Sequence, residues 1–435
     1  RCLLVRPCTQ HSLLFKIKIC VILTFKDKSL PLIFNDTNCV YIVTENNKYV
    51  GIIRVLITTM SKVKQMEWHV LLSAVLSNLS DLPFNVEFAV TYKCNSMCLQ
   101  CNVWRHYREN PEEIVKELTC DEIEKAFSSY GRFSVVGITG GEPFLRDDLP
   151  KIVDIIGETQ KKLKLVFITT NGQLPKLTSG RVRQILDTRS LNKRKFKLQM
   201  IVSLDGPKGL HNYIRGLKDA YDRSIDTIRE LAELRASYDL FEVGTDTVLS
   251  PFNINRFDDV IREISKLQLE YNLEPTYCIW LEGQLYKNFG CKEDVDVEGF
   301  RRKLTNVLPK LKEVIEKKGT PLSKGRSICI DLLHLWLKNP EKQVIPCGGS
   351  KVRYFLAPNG DVYPCTIFGA NIGNIRDYDY DFTKLIHGSD RKRIRQLVSK
   401  EKCPICWNTC EAIPTMMAYP WFTAIQTIRT KWIGD

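Results

Sequence analysis

No apolar run in this sequence is long enough to cross a bilayer as a helix. The stretch ICVILTF at residues 19–25 falls well short of the about 20 residues that a span requires, and no small-residue cleavage site follows it. Neither a membrane anchor nor an export signal is expected. Internal repeats and low-complexity tracts are also missing, so repeat architectures are not expected. The basic runs NKRKFK (192–197) and RKRIR (391–395) carry no interleaved aromatics and match no nucleic-acid motif. Despite a net charge of +13 and a pI of about 9.0, they read as solvated faces, and no nucleic-acid partner is expected.

What is present is a 435-residue chain with 44% apolar and 26% charged residues, ordinary values for globular protein. It holds sixteen cysteines. They concentrate at Cys94–Cys101 and Cys347–Cys410, a pattern of metal ligation and not of a secreted disulfide framework, which sits in far shorter chains. A reducing compartment, the cytoplasm, is the expected location. Residues 1–59 differ in character from the rest and begin with Arg1. A natural start is expected at Met60, and within the extension CVYIVTENNKYVGIIRVLI (39–57) reads as a hairpin.

From residue 84 the chain alternates. Apolar runs suited to buried parallel strands lie at 84–92, 133–139, 164–170, 197–204, 241–249 and 275–281. Helical stretches separate them, a first over 119–131 and others centred on 149–162, 180–188, 219–237 and 254–268. The first, TCDEIEKAFSSYG, has a capping-box pair at Thr119 and Glu122 and a glycine exit at Gly131. Six βα units in series predict a parallel α/β sheet or barrel, with chemistry at the carboxyl ends of its strands. The polar motifs fall there: CNSMCLQC after the first strand, GGEP (140–143) after the second, Asn171-Gly172 after the third, Asp205-Gly206 after the fourth. Past residue 290 the alternation ends. Helices are expected over 296–318 and 327–338, a domain boundary near residue 320, and then a tight hairpin turning at Asn359-Gly360.

Cysteines spaced C-x3-C-x2-C at Cys94, Cys98 and Cys101 can surround one face of an iron-sulfur cubane and leave the fourth iron without a protein ligand. A structural zinc would need a fourth ligand, for which His106 is a poor fit. On this loop alone, cluster and zinc remain open.

Taken in order, the three-cysteine loop, Gly140-Gly141-Glu142-Pro143 and VSLDGPKGLHNYIRG (202–216) resemble the radical S-adenosylmethionine (SAM) superfamily over roughly residues 84–283. The resemblance implies a partial (βα)6 TIM-like barrel over 60–320. In it, Cys94, Cys98 and Cys101 would hold a SAM-binding 4Fe-4S cluster, Gly140, Gly141, Glu142 and Pro143 would meet the SAM amino group, and Ser203 and Arg215 would lie near its carboxylate or ribose. It also implies reductive cleavage of SAM to a 5′-deoxyadenosyl radical that takes a substrate hydrogen atom, fed by a low-potential donor such as ferredoxin or flavodoxin. Gln100 stands where relatives often carry an aromatic residue or histidine, which puts the detail of adenine binding in doubt. Tyr92 and Trp104 are nearby aromatics that could substitute for it, with core packing the expected role for either, and His211 is expected in a structural role.

The second cysteine group resembles the SPASM and twitch modules, which hold auxiliary clusters. The spacing from Cys347 to Cys365, with Gly360 between, and then Cys403 and Cys406 implies a small α+β module over 321–435 carrying one auxiliary 4Fe-4S cluster. Cys410 is spare or competing, and a four-thiolate zinc is the alternative. Cys278, Cys291 and Cys329 read as buried apolar residues. Trp407, Tyr419 and Trp421 are expected either to cover the barrel mouth or to pack against it. A peptide or protein is the favoured substrate, a lipid or cofactor precursor the rival, and a non-catalytic zinc or iron-sulfur binding module the other class.

Overall fold

A computed structural model describes residues 20–25, 28–35, 39–42, 65–288 and 295–433. Strands β1 (Cys20–Phe25), β2 (Lys28–Asn35) and β3 (Cys39–Ile42) form a small antiparallel sheet of their own. Of the hairpin expected over 39–57, only β3 falls within the described residues. Cys291 also lies outside them.

A helix over Gln65–Ser80 leads into six parallel strands: β4 (Asn85–Thr91), β5 (Val135–Gly140), β6 (Leu165–Thr170), β7 (Lys197–Ser203), β8 (Phe241–Leu249) and β9 (Glu274–Ile279). All seven residues of β4 are buried, as a strand covered on both faces requires. Each strand is followed by a helix that returns over the sheet, beginning with Cys120–Tyr130, Leu149–Thr159 and Pro175–Leu191. The first shows why the chain turns there: Thr119 and Glu122 close a reciprocal capping box, and Gly131 leaves the helix at φ 55°. The result is the partial (βα)6 barrel.

Strands β10 (Arg353–Leu356), β11 (Asp361–Tyr363) and β12 (Gly373–Asn374) extend this sheet. Strand β10 pairs in parallel with β4, giving the order β12-β11-β10-β4-β5-β6-β7-β8-β9. The sheet therefore runs across residue 320. The β10–β11 connection is wider than a two-residue turn: it spans 357–360, closed by Gly360 N–H donating to Ala357 O at 3.0 Å, with Gly360 at φ 89°.

A late helix, Thr409–Ala418, joins the two sides of the open barrel. Thr409 Oγ1 donates to Tyr277 O (2.8 Å) on β9, and Arg353 of β10 donates to the carbonyl of Cys410. Inside, the Arg353 guanidinium, 1% exposed, lies between Glu87 of β4 (3.4 Å) and Glu411 (3.3 Å). No helix among the described residues is long and apolar enough to cross a membrane.

Candidate active site

The strand ends converge on a cavity open to solvent and lined by Cys94, Cys98, Cys101, Gly140, Gly141, Ser203 and Arg215 among others. The loop after β4 is held from three sides. Met97 N–H donates to Arg215 O (3.0 Å) and Leu99 N–H to Ile214 O (2.9 Å), tying it to the helix Lys208–Arg215. Trp280 and Asn288 both donate to the carbonyl of Gln100, at 3.3 and 3.2 Å.

Each thiol has its own polar neighbour. Asn171 Nδ2 stands 3.8 Å from Cys94 Sγ, an Arg215 guanidinium nitrogen 3.8 Å from Cys98 Sγ, and Cys101 Sγ 3.7 Å from the carbonyl of Tyr286. Arg215 is buried, and its charge is balanced by Asp205 at 2.8 Å. Burial pushes all three thiols up, Cys94 to about 12, and at Cys98 the guanidinium opposes it. Such thiols ionise only against a cationic partner.

The glycine pair is required by close approach of backbone. A Cβ on Gly140 would lie 2.1 Å from Thr91 O, and one on Gly141 2.1 Å from Lys93 O. Gly141 and Glu142 N–H donate to those same carbonyls at 2.8 and 2.7 Å, so this turn is zipped to the root of the cysteine loop. Glu142 and Pro143 stand behind the cavity wall. The buried Glu142 carboxylate accepts from Asn171 N–H (2.7 Å), Thr170 Oγ1 (2.9 Å) and Phe144 N–H (3.1 Å). Gly141→Ala is expected to destabilise the fold by about 1–3 kcal/mol through overpacking. Gly180→Ala, on an open helical face, is expected to stabilise it by about 0.5–1 kcal/mol. Urea denaturation of the two variants checks the contrast.

His211 has the structural role expected of it. Fully buried, its Nδ1 accepts from Asp205 N–H at 3.1 Å and its Nε2 meets Ser224 Oγ at 3.4 Å. Tyr92 packs in the core, whereas Trp104 departs from that expectation and lines the cavity.

A second cavity is lined by Cys347, Cys365, Cys403 and Cys406 together. Gly349 N–H donates to Cys347 Sγ (3.3 Å) and Phe368 N–H to Cys365 Sγ (3.2 Å), the kind of bond that favours a bound thiolate. Cys410 does not join this group; it lines the first cavity, with its sulfur 3.9 Å from Cys278 Sγ. Trp407 is buried and donates to Cys329 O (2.9 Å), and Tyr419 is buried in a separate core cluster. Neither they nor Trp421 line the barrel cavity. Sequence reasoning missed Glu87 and Asp246 as cavity-lining residues. Both sit mid-strand in apolar runs, where a buried carboxylate is the only signal, whereas Gln100, marked in the sequence as a departure beside the third cysteine, does line the cavity.

Among the described residues no three His, Cys, Asp or Glu side chains close around a single ion. In a cubane each thiolate binds a different iron, so its thiolates need not meet at one point. The orphaned buried oxygens Gln100 Oε1 and Asp246 Oδ1 belong to residues in the wall of the same cavity. Unpartnered polar atoms, a set of thiols and a buried cation in one cleft fit an iron-sulfur cluster with a polar small molecule beside it.

A half-open parallel βα barrel with a cysteine loop at its first strand, followed by a four-cysteine module, defines a class of iron-sulfur proteins. The Radical SAM superfamily model matches residues 88–264, and that of an iron-sulfur cluster-binding domain, SPASM, matches residues 347–411. This chain belongs to the radical SAM superfamily and carries a SPASM-type domain. Among curated proteins it is 24% identical over 351 residues to the antilisterial bacteriocin subtilosin biosynthesis protein AlbA of Bacillus subtilis, covering 75% of this chain and 66% of that one. It is 42% identical over 88 residues to a probable GTP 3′,8-cyclase of Methanococcus maripaludis, covering 20% of this chain and 28% of the relative. The chain thus spans just under two thirds of the first relative and less than a third of the second. In fold it is similar to anSMEcpe with bound AdoMet (TM-score 0.52, 17% identity, 81% of this chain and 99% of that one). It is also similar to Streptococcus suis SuiB bound to precursor peptide SuiA (0.50, 17%, 86% and 78%).

Proposed function

We propose that this protein is a radical SAM enzyme whose substrate is a peptide. The observation that carries the reading is the convergence of Cys94, Cys98, Cys101, the Gly140-Gly141 turn and Arg215 on one cavity. In that cavity the three thiols would hold a 4Fe-4S cluster, and the glycine turn, Ser203 and Arg215 would frame SAM. With both groups bound, one electron cleaves SAM to methionine and a 5′-deoxyadenosyl radical that removes a hydrogen atom from substrate.

The chain's own residues bind, orient and shield. Arg215, neutralised by Asp205, stabilises Cys98 as a thiolate. Asn171 is positioned for Cys94 by its backbone bond to Glu142. Burial raises Glu142 to about 7, and its three donors fix it as a brace between the ends of β5 and β6. In the second module Cys347, Cys365, Cys403 and Cys406 would hold an auxiliary cluster. A low-potential carrier of the ferredoxin or flavodoxin class would supply the electron.

The peptide reading is supported by the bacteriocin biosynthesis named for the relative that aligns with three quarters of this chain. The cavity wall offers both kinds of contact: Glu87, Gln100, Thr139, Thr170, Asn171 and Asp246 are polar, and Val103, Trp104, Val248, Trp280 and Leu285 are apolar.

Anaerobic reconstitution tests the whole. Two cubanes give about eight irons per chain, and SAM with a strong reductant should then yield 5′-deoxyadenosine. Zinc in place of iron, with no 5′-deoxyadenosine formed, would defeat the reading and favour a binding module.

A further inference from the structure

Two thiols outside both cysteine groups of four and three meet at the wall of the barrel cavity. Cys278 is on β9 and 2% exposed; Cys410 is near the start of the helix that bridges the barrel. Their sulfurs are 3.9 Å apart. On the neighbouring strand β8, Asp246 lies close enough to Cys278 for the thiol to hold its carboxylate down against burial, and its Oδ1 is buried without a hydrogen-bond partner. Cys410 and Asp246 line the same cavity as the cysteine loop. Burial holds Asp246 up at about 6, so near neutral pH it can take up a proton. A structural role would leave this arrangement unexplained, because an apolar pair would fill the space without burying a carboxylate.

We propose that Cys410 is a hydrogen-atom donor to carbon-centred radicals formed in this cavity, and that Cys278 and Asp246 complete the step. The proposal rests on the radical SAM reading above. The Cys410 S–H bond breaks homolytically as a C–H bond forms on the radical carbon. The Cys410 sulfur radical then bonds to Cys278 Sγ while the Cys278 proton passes to the Asp246 carboxylate, leaving a disulfide with one extra electron. That electron passes to an oxidised iron-sulfur cluster, for which the four-cysteine module is the nearest holder in sequence. A dithiol reductant later restores both thiols by exchange. The pair therefore acts on substrates whose carbon radical is to be returned to a C–H bond.

The cluster-loaded protein is incubated in D2O with SAM and a strong reductant, without added thiol or substrate, and the 5′-deoxyadenosine is weighed by mass spectrometry. Thiol hydrogens exchange with solvent and carbon-bound ones do not, so the wild type should give product one mass unit heavier. The product of Cys410→Ser should lack that deuterium, while Cys120→Ala, a thiol outside the cavity, should retain it. Deuterium-free product from the wild type, or deuterium retained in Cys410→Ser, overturns the assignment and leaves the radical SAM reading standing. No 5′-deoxyadenosine from the wild type overturns that reading itself. Loss of iron in Cys410→Ser would make Cys410 a cluster ligand and also overturn the assignment. Independently of turnover, mild oxidation with diamide should join Cys278 to Cys410 in a mapped peptide pair. Absence of that pair would show that the two sulfurs do not meet.

Discussion

Replacing Cys98 with alanine is expected to reduce reductive SAM cleavage more than about 100-fold, since loss of even an outer partner of a metal ligand costs about 10–100-fold. Iron should fall from about eight to about four per chain, because the four-cysteine module binds its cluster separately. The second number separates loss of one site from collapse of the fold. Arg215→Lys provides the graded comparison. Its ammonium keeps the charge but not the planar fork that reaches Asp205 and Cys98 together, so a drop of about 10–100-fold with iron retained is expected. Iron and sulfide counts beside the 5′-deoxyadenosine assay check both.

The other large effect is on stability. Arg353→Ala leaves Glu87 and Glu411 facing each other in the barrel interior, and breaking a buried ion network in this way costs about 3–5 kcal/mol. The loss should be greatest at high pH. Burial raises Glu87 to about 7 from an ordinary 4.5 even with Arg353 beside it. The folded state therefore holds a proton that the unfolded state releases between those values, and stability falls as pH rises through that window. Denaturant unfolding of the variant between pH 5 and pH 8 should show a steeper decline than the wild type. Adding Glu87→Gln to Arg353→Ala should recover part of the loss at pH 8 and little at pH 5. An equal loss at both pH values would mean that cavity formation, and not charge, sets the cost.

Much of the barrel was legible because its signals are local. Buried parallel strands read as apolar runs, and the six expected runs coincide with β4 to β9 within two residues at most boundaries. The capping box at Thr119 and Glu122 lies within four residues and needs no tertiary partner. What was not legible depends on partners distant in the chain. Nothing in RYFL (353–356) says that it will pair with NVEF (85–88), because parallel strands have no turn to fix their register. Cys278 and Cys410, 132 positions apart, each read alone as an apolar residue or a spare ligand. Glu142 shows a subtler limit: its motif suggests a ligand contact, but its carboxylate is saturated by the protein around it, which spacing cannot reveal.

The pairing of β4 with β10 also has a meaning for synthesis on the ribosome. Asn85 waits for Arg353, 268 positions later. At about 5–20 residues per second that is roughly 15–55 seconds. For that interval the strand carrying the cysteine loop presents an open hydrogen-bonding edge, a template for intermolecular pairing. The last quarter of the chain thus acts as an intramolecular chaperone for the first strand of the barrel, and truncations within it should send the nascent protein into aggregates well before any question of catalysis arises.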